Sequence, residues 1–143
     1  MADKLILTIY VDINPEDISE LHTPVGDGSM IPFSGTAEGE IFHGIVRPGG
    51  VDTQRVNLAG ARHMSARYML KGTDSAGEPC QIFVDNNGWY VGRVPMPFQT
   101  VPTLWTDSKV LAPYLHQNKF RGEGHPRRMG VEIRIFEVDT EEK

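Results

Sequence analysis

Glycine and proline are spread through this 143-residue chain, which contains 15 Gly and 10 Pro. Both residues destabilise a helix interior, glycine through its conformational entropy and proline through its missing N–H. Both are common in the turns that join short strands. Their density excludes a helix bundle and predicts turn-rich β structure in a single domain, residues 1–143.

The rest of the composition is that of an ordinary globular domain, with 39% hydrophobic and 23% charged residues. The net charge of -5 offers no basic surface for phosphate backbones, so we expect no nucleic-acid partner. No stretch approaches the ~20 apolar residues of a membrane helix, and the early run at 5–7 is too short for a signal peptide. The single cysteine, Cys80, excludes an internal disulfide framework. We therefore expect a cytoplasmic protein without a membrane partner.

Segments rich in β-branched and aromatic residues predict strands. These segments are 5–11, 40–46, 64–72, 80–85 and 131–138. The third and fourth should form a hairpin, whose second arm we expect to end at Asn86-Asn87-Gly88, because these residues tolerate left-handed conformations. Residues 15–34 contain scattered prolines and glycines and are expected to be mostly irregular. The charged residues 140–143 are expected to fray.

Residues 94–113 contain four prolines, which remove backbone donors and argue against a regular strand. The same segment contains Phe98, Leu104 and Trp105, whose apolar surface should be packed against something. We therefore predict an ordered, Pro-rich lid loop over a cavity. Phe98 and Trp105 are expected to contact a ligand there, and either Trp105 or Trp89 should lie near the mouth.

Many short strands without a long amphipathic helix predict an all-β fold, either a closed sheet or a sandwich. A closed antiparallel β-barrel is favoured because closure removes exposed edge strands. About eight strands leave an interior just wide enough for one small ligand.

Five segments carry further information: GTAEG at 35–39, GIVRPGGVDTQ at 44–54, ARYML at 66–70, FQTVP at 98–102 and EIRIFEV at 132–138. Together they resemble the DUF3237 (UPF0311) family over about residues 35–138. The resemblance implies a small antiparallel barrel similar to the allene oxide cyclase and dirigent barrels. It implies little chemistry, because the family is known chiefly as uncharacterised proteins. Two departures would reshape a pocket: Thr53 stands where the family usually has Trp, and His116 where it usually has Asn.

Asp52 and Gln54 are two residues apart, so they share one face of a strand. The preceding double glycine, 49–50, lets the backbone approach a ligand closely. Asp52 is a candidate general acid or base and Gln54 an orienting amide. The alternative is that Asp52 caps a turn and Gln54 faces water.

Tyr68 should share the core face of its strand with Ala66 and Leu70, which places a phenol inside an apolar barrel. It is either a catalytic acid or a core tyrosine whose hydroxyl is satisfied by the backbone. Arg67 should point to the opposite face, where it is a solvated charge or the partner of a ligand carboxylate.

The five histidines show no metal-ligand spacing, and no glycine-rich phosphate motif is present, so we expect neither a metal nor another cofactor. His116 is either a lone surface residue or, if the fold brings the two together near the mouth, the partner of Glu123 in an acid/base pair. The predicted ligand-binding residues are Gln54, Arg67, Asn86, Phe98, Trp105 and His116.

These observations favour a cofactor-independent isomerase, cyclase or lyase in which Asp52 and Tyr68 move protons on a small molecule. The ligand would be an apolar or aromatic oxygenated compound bound in the barrel. The alternative from a different class is a non-catalytic barrel that binds a small ligand or forms a homo-oligomeric scaffold.

Overall fold

A computed structural model describes residues 3–139, in which eleven strands are joined by turns, a 3₁₀ turn and one short helix. The strands are β1 (Lys4–Asp12), β2 (Ser19–Thr23), β3 (Gly26–Pro32), β4 (Ser34–Glu38), β5 (Phe42–Val46), β6 (Val51–Asn57), β7 (Ala61–Asp74), β8 (Pro79–Val91), β9 (Phe98–Thr106), β10 (Phe120–Arg127) and β11 (Gly130–Glu137). The 3₁₀ turn spans Pro15–Asp17 and helix α1 spans Ala112–Leu115. The tail expected to fray, 140–143, lies outside the described residues.

Eight of these strands close into an antiparallel barrel in the order β7-β5-β4-β1-β11-β10-β9-β8, and β8 pairs with β7 to complete the ring. The β7–β8 hairpin is the longest ladder and extends over nearly the full length of both strands. The predicted all-β barrel of about eight strands is therefore confirmed.

Three strands extend the sheet beyond this ring, and we call β2, β3 and β6 the flap. β6 pairs with residues 62–67 of β7, while β5 pairs with residues 70–74 of the same strand edge. β3 then pairs with β6, and β2 with β3. The chain passes from flap to barrel at Phe33, whose N–H donates to the Gly50 carbonyl at 3.0 Å. At Phe33 the sheet therefore divides into two parts, the flap that contains β3 and the closed ring that contains β4.

The barrel core is formed by alternate side chains of the strands, as the period of two requires. Its largest fully buried side chains are Phe42, Ile6, Leu7, Ile9, Leu70, Ile82, Leu104, Leu115, Ile135 and Val84. On β7, Tyr68 and Leu70 are buried whereas Arg67 and Met69 are exposed. This confirms the prediction that Tyr68 and Leu70 lie on the core face of the strand.

Residues 15–34 are more regular than predicted, because they form β2 and β3 of the flap. Pro24 lies in the two-residue turn between these strands, and Pro32 is the last residue of β3. At such positions a missing N–H removes no hydrogen bond from a ladder. The number of prolines was therefore misleading, since their positions are compatible with a hairpin.

The second arm of the long hairpin continues past its predicted end. Asn86, Asn87 and Gly88 lie inside β8 and face β7 on one side. Asn86 and Asn87 also pair with β9 on the other. Ladders on both sides override the weak preference of asparagine for turns.

The predicted lid is wrong over its central part, because Phe98–Thr106 forms β9 of the barrel wall. Pro102 pairs opposite Asn86 of β8, but β9 pairs with β10 only at residues 98–100. Pro102 therefore stands at a locally free edge, where proline is tolerated.

Candidate functional site

A cavity of about 60 Å³ lies inside the barrel, at the end where the flap joins the ring. Its lining is mainly apolar and is formed by Val11, Ile13, Phe33, Met64, Ala66, Phe98, Val131 and Ile133, with the polar residues Asp52, Tyr68, Asn86 and Thr100. A space of this size holds a few water molecules and is smaller than the ~300 Å³ of a typical ligand pocket. It fits a molecule of few heavy atoms.

The cavity forms where a small residue separates two polar ones. Asp52, Ala66 and Asn86 are directly opposite each other on β6, β7 and β8. Adjacent strands are about 4.8 Å apart, so the methyl group of Ala66 leaves a gap with a polar side chain on each side. Ala66 is therefore the floor between Asp52 and Asn86.

Two glycines on β10 shape the opposite wall. Gly124 pairs with Phe98, and Gly122 pairs with Thr100. A Cβ atom at Gly124 would overlap the Phe98 ring, and one at Gly122 would overlap the Thr100 hydroxyl. The missing side chains let Phe98 and Thr100 lie across β10 and reach the cavity.

Four buried polar atoms that belong to cavity-lining residues have no hydrogen-bond partner in the protein: Asp52 Oδ1, Tyr68 Oη, Asn86 Oδ1 and Thr100 Oγ1. They come from four successive strands of the sheet, β6, β7, β8 and β9. A buried polar atom without a partner costs about 1–3 kcal/mol, and native proteins retain few of them. Four such atoms around one small space are the arrangement expected of a site that hydrogen-bonds a guest molecule.

Asp52 is held by a chain of side chains that leads out of the cavity. Gln54 Nε2 donates to Asp52 Oδ2 at 2.7 Å, and Arg62 Nη1 donates to Gln54 Oε1 at 2.8 Å. Burial raises the pKa of the Asp52 carboxyl above its usual value, and the Gln54 hydrogen bond, the backbone N–H of Ser65 and the positive charge of Arg62 partly offset this rise. The chain fixes one carboxyl oxygen and leaves the other unpartnered.

Tyr68 contributes a phenol that remains protonated. Its side chain is 5% exposed, and its ring packs edge-on against Phe33 with 5.1 Å between centroids. Burial raises the pKa of the Tyr68 phenol because the charged form would lose its hydration. Tyr68 is therefore available as a hydrogen-bond donor, while Asp52 is available as an acceptor.

The structure brings five of the predicted site residues together. Asp52, Tyr68, Asn86 and Phe98 line the cavity, and Gln54 holds Asp52 from the same face of β6. Asp52 and Gln54 share one face of β6, as their spacing of two residues predicted. The alternative in which Gln54 simply faces water is excluded, because its side chain makes two hydrogen bonds within the protein.

Three predicted ligand contacts lie elsewhere. The Arg67 side chain is 63% exposed on the outer face, with Nε 3.6 Å from Asp85 Oδ1. Trp105 is 61% exposed on β9 and is not among the residues that line the cavity. His116 Nε2 accepts the Thr106 N–H at 3.1 Å. The structure brings none of these three side chains to the cavity.

Two polar residues at the site were not predicted from the sequence. Thr100 is two residues from Phe98, so reading 98–102 as a strand would have placed both on one face. Arg62 was not among the predicted site residues, and no sequence signal connects it with Gln54, eight residues away.

Within residues 3–139, no cluster of three or more His, Cys, Asp or Glu side chains is placed to hold a metal ion. No helix in this part of the chain is long and apolar enough to cross a membrane. Cys80 is buried, and burial raises the pKa of its thiol to about 11, so it is not a ready nucleophile.

The fold and the site define a small closed antiparallel barrel in which a mainly apolar cavity with four polar lining residues lies where a flap joins the ring. The chain belongs to the DUF3237 family, proteins of unknown function, whose sequence profile matches residues 3–138. This match confirms the resemblance and extends it to the first strands.

Individual relatives agree with this assignment. A UPF0311 protein of Clostridium acetobutylicum is 39% identical over 87 residues, which is 57% of this chain and 49% of the relative, so the aligned part spans about half of that protein. A solved structure of a protein of unknown function from the same organism superposes with a TM-score of 0.79 and 25% identity, covering 97% of this chain and 100% of the other.

Two further solved structures have the same fold. A conserved protein of unknown function from Rhodopseudomonas palustris matches with a TM-score of 0.73, 24% identity and 96% and 97% coverage of the two chains. A β-barrel-like protein from Acinetobacter baumannii matches with a TM-score of 0.74, 20% identity and 96% coverage of each chain. At these identities the likeness establishes the barrel alone.

Proposed function

We propose that the cavity binds a small oxygenated, largely apolar or aromatic molecule and that Asp52 and Tyr68 transfer protons on it without a cofactor. The reaction class is an isomerisation, cyclisation or lyase reaction. The observation that carries the proposal is the set of four unpartnered polar atoms around one apolar space. A guest that hydrogen-bonds them removes a cost that the empty fold carries.

Asp52 is the proton acceptor in this proposal. Its free Oδ1 belongs to a lining residue, and its raised pKa makes the carboxylate a stronger base than an exposed aspartate. It removes a proton from a carbon next to a carbonyl, the C–H electron pair moves towards the carbonyl oxygen, and an enolate forms. Asp52 then returns the proton to a different atom of the same molecule, so no other reactant is needed.

Tyr68 is the donor that stabilises the developing oxygen charge. It is two residues beyond Ala66, the direct partner of Asp52, and is therefore a diagonal neighbour of Asp52 on the same face. Such diagonal positions are about 7–8 Å apart, a span that one small carbonyl compound bridges. The phenol is protonated at neutral pH, which a donor requires.

The remaining lining residues orient the molecule. Asn86 and Thr100 offer further polar atoms, while Phe33 and Phe98 present aromatic surfaces. Because the space is about 60 Å³, a ring-sized ligand requires flexible side chains such as Met64 to move.

The test is deuterium exchange in ²H₂O, followed by NMR, over a panel of small ketones and hydroxylated aromatic carbonyl compounds. We expect the wild type to accelerate exchange at the carbon next to a carbonyl, and Asp52→Asn to reduce this rate by about 100-fold or more. Asp85→Asn is the matched control, because it makes the same change on the outer side of β8, beside Arg67. Equal rates in the two variants would remove Asp52 from the mechanism.

Binding without catalysis is the second candidate, and the same unpartnered atoms favour it because they require a guest but not a reaction. It is distinguished by a compound that raises the melting temperature of the wild type yet shows no exchange in any variant. A homo-oligomeric scaffold role would instead leave the cavity without a ligand.

A further inference from the structure

β2 is the strand with a single neighbour among those of residues 3–139, because it pairs with β3 and its other edge is open. Four of its five residues are exposed. Proteins usually protect such an edge with proline, lysine or a bulge. The sequence Ser-Glu-Leu-His-Thr at 19–23 contains no proline or lysine, and its register with β3 is regular.

The backbone of the open edge is oriented for pairing. Thr23 and Gly26 close a two-residue turn, and such turns close on a hydrogen-bonded pair. Alternation along the ladder then directs the N–H and C=O groups of Glu20 and His22 towards the open side. Glu20 and His22, one on each side of Leu21, therefore each offer a backbone N–H donor and a C=O acceptor at the open edge.

The side chains of β2 are self-complementary about Leu21. An antiparallel copy centred there places Glu20 opposite His22 of the partner subunit, and the reciprocal pair follows from symmetry. Ser19 then faces Thr23 of the partner subunit, so no like charges are opposed. His22 Nδ1 already lies 3.2 Å from Asp27 Oδ1 of its own chain, and the second carboxylate would approach from the other side.

Apolar surface lies beside this edge. Leu21 is 63% exposed, and on the outer face of the flap it adjoins an open groove that also includes Val25 and Trp89. In a pairing centred on Leu21, this residue would meet its own copy in the close, non-hydrogen-bonded position. Both leucines would lose exposed apolar area.

We propose that β2 pairs antiparallel with β2 of a second copy, about a two-fold axis at Leu21, so that two flaps form one continuous sheet. The occupant of the open edge is thus this chain itself, because Glu20 and His22 are complementary to their own copies across the axis. An interface of two five-residue strands is small, so the dimer should be concentration-dependent, with a dissociation constant in the micromolar range, about 1–100 μM.

The first test is sedimentation velocity of the full chain from about 1 to 200 μM, a range that brackets the expected constant. We expect the wild type to pass from monomer to dimer. Leu21→Lys places like charges opposite each other at the axis and should remain monomeric, whereas Met129→Lys, at an exposed position of the β10–β11 turn, should dimerise normally. A wild type that stays monomeric at 200 μM, or a Leu21→Lys protein that still dimerises, overturns the proposal.

The second test reports the register. Leu21→Cys should form an oxidised dimer, because opposed residues in a non-hydrogen-bonded pair have Cα atoms about 4.5 Å apart, within disulfide reach. Val25→Cys is the control, since it lies in the turn beyond Thr23, and the two copies of Thr23 are already about 14 Å apart along the strands. Equal crosslinking of the two variants would mean random collision and would contradict the register. Neither test depends on the cavity, so its outcome is independent of the proposed function.

Discussion

The side-chain amide of Gln54 binds one oxygen of the Asp52 carboxyl and leaves the other oxygen without a partner. The amide cannot turn over without losing a hydrogen bond, because Arg62 donates to its oxygen. Asp52 is therefore oriented by a contact outside the cavity rather than by a group inside it.

Asp52→Asn should stabilise the protein at neutral pH by roughly 1 kcal/mol, because it removes a desolvated charge and keeps an acceptor for Gln54. The pKa of Asp52 is higher in the folded than in the unfolded protein. The protonated carboxyl therefore stabilises the fold fully below the unfolded pKa of about 3.9, and this stabilisation is lost as pH rises through the folded pKa. The gain from the substitution should therefore vanish near pH 3 and be largest above the folded pKa. Urea unfolding of both proteins from pH 3 to 8 measures the difference, and a wild type that gains relative stability with rising pH would contradict it.

Arg62→Met should raise the pKa of Asp52 further, because the positive charge of Arg62 is one of the groups that lower it. NMR titration of the Asp52 side-chain carboxyl carbon follows this pKa directly. Arg67→Met is the control, since this arginine lies on the outer face beside Asp85. An unchanged Asp52 titration in Arg62→Met would show that Arg62 acts only as a structural partner of Gln54.

Ala66→Val should fill the floor of the cavity between Asp52 and Asn86 and abolish ligand-induced thermal shifts. Because the added methyl groups enter existing space, the free energy of unfolding should change by less than about 1.5 kcal/mol. Ala61→Val makes the same change at the start of β7, away from the lining, and should leave ligand binding intact. Binding that survives in Ala66→Val would place the ligand elsewhere.

Tyr68→Phe should leave the fold intact and weaken ligand binding by about tenfold or more, since one hydrogen bond of ~1.4 kcal/mol corresponds to that factor. The hydroxyl has no partner in the protein, so its removal should not destabilise the fold. Tyr68→Ala should instead cost about 3–5 kcal/mol, because it leaves a hole against Phe33. Chemical unfolding and calorimetric titration separate the two effects. A Tyr68→Phe protein as unstable as Tyr68→Ala would indicate a structural hydroxyl.

Leu70→Ala and Trp105→Ala should differ strongly in stability. Leu70 is 0% exposed in the core, and its truncation should cost about 2–5 kcal/mol. Trp105 is 61% exposed on the outside of β9, so its truncation should cost less than about 1 kcal/mol and leave ligand binding unchanged. Loss of binding in Trp105→Ala would restore the lid interpretation.

The barrel and the direction of several side chains were predictable because they depend on local periodicity. Asp52 and Gln54, or Tyr68 and Leu70, share a face whatever strands lie beside them. The cavity was less accessible to sequence reasoning, because Thr100 reaches it only through the pairing of β9 with Gly122 of β10. Pairings between distant segments leave no periodic signal in either segment.

The error over residues 94–113 has a different cause. The prediction counted the prolines in the segment. The cost of a proline in a strand depends instead on whether a neighbouring strand would accept a hydrogen bond from the N–H that the proline lacks. At Pro102 no such neighbour exists, because β10 has already separated from β9. Phe98 and Trp105, expected to act together, consequently belong to opposite faces of one strand.

The pairing of β1 with β11 joins Lys4 to Glu137, the most distant strands in the sequence. During synthesis β1 leaves the ribosome first and β11 last among the strands described. Until then β1 and β10 each lack a neighbour, and the long β7–β8 hairpin is the largest unit that can form early. The nascent chain should therefore carry an unsealed sheet for most of its translation, with the β1 edge that β11 later covers still unpaired.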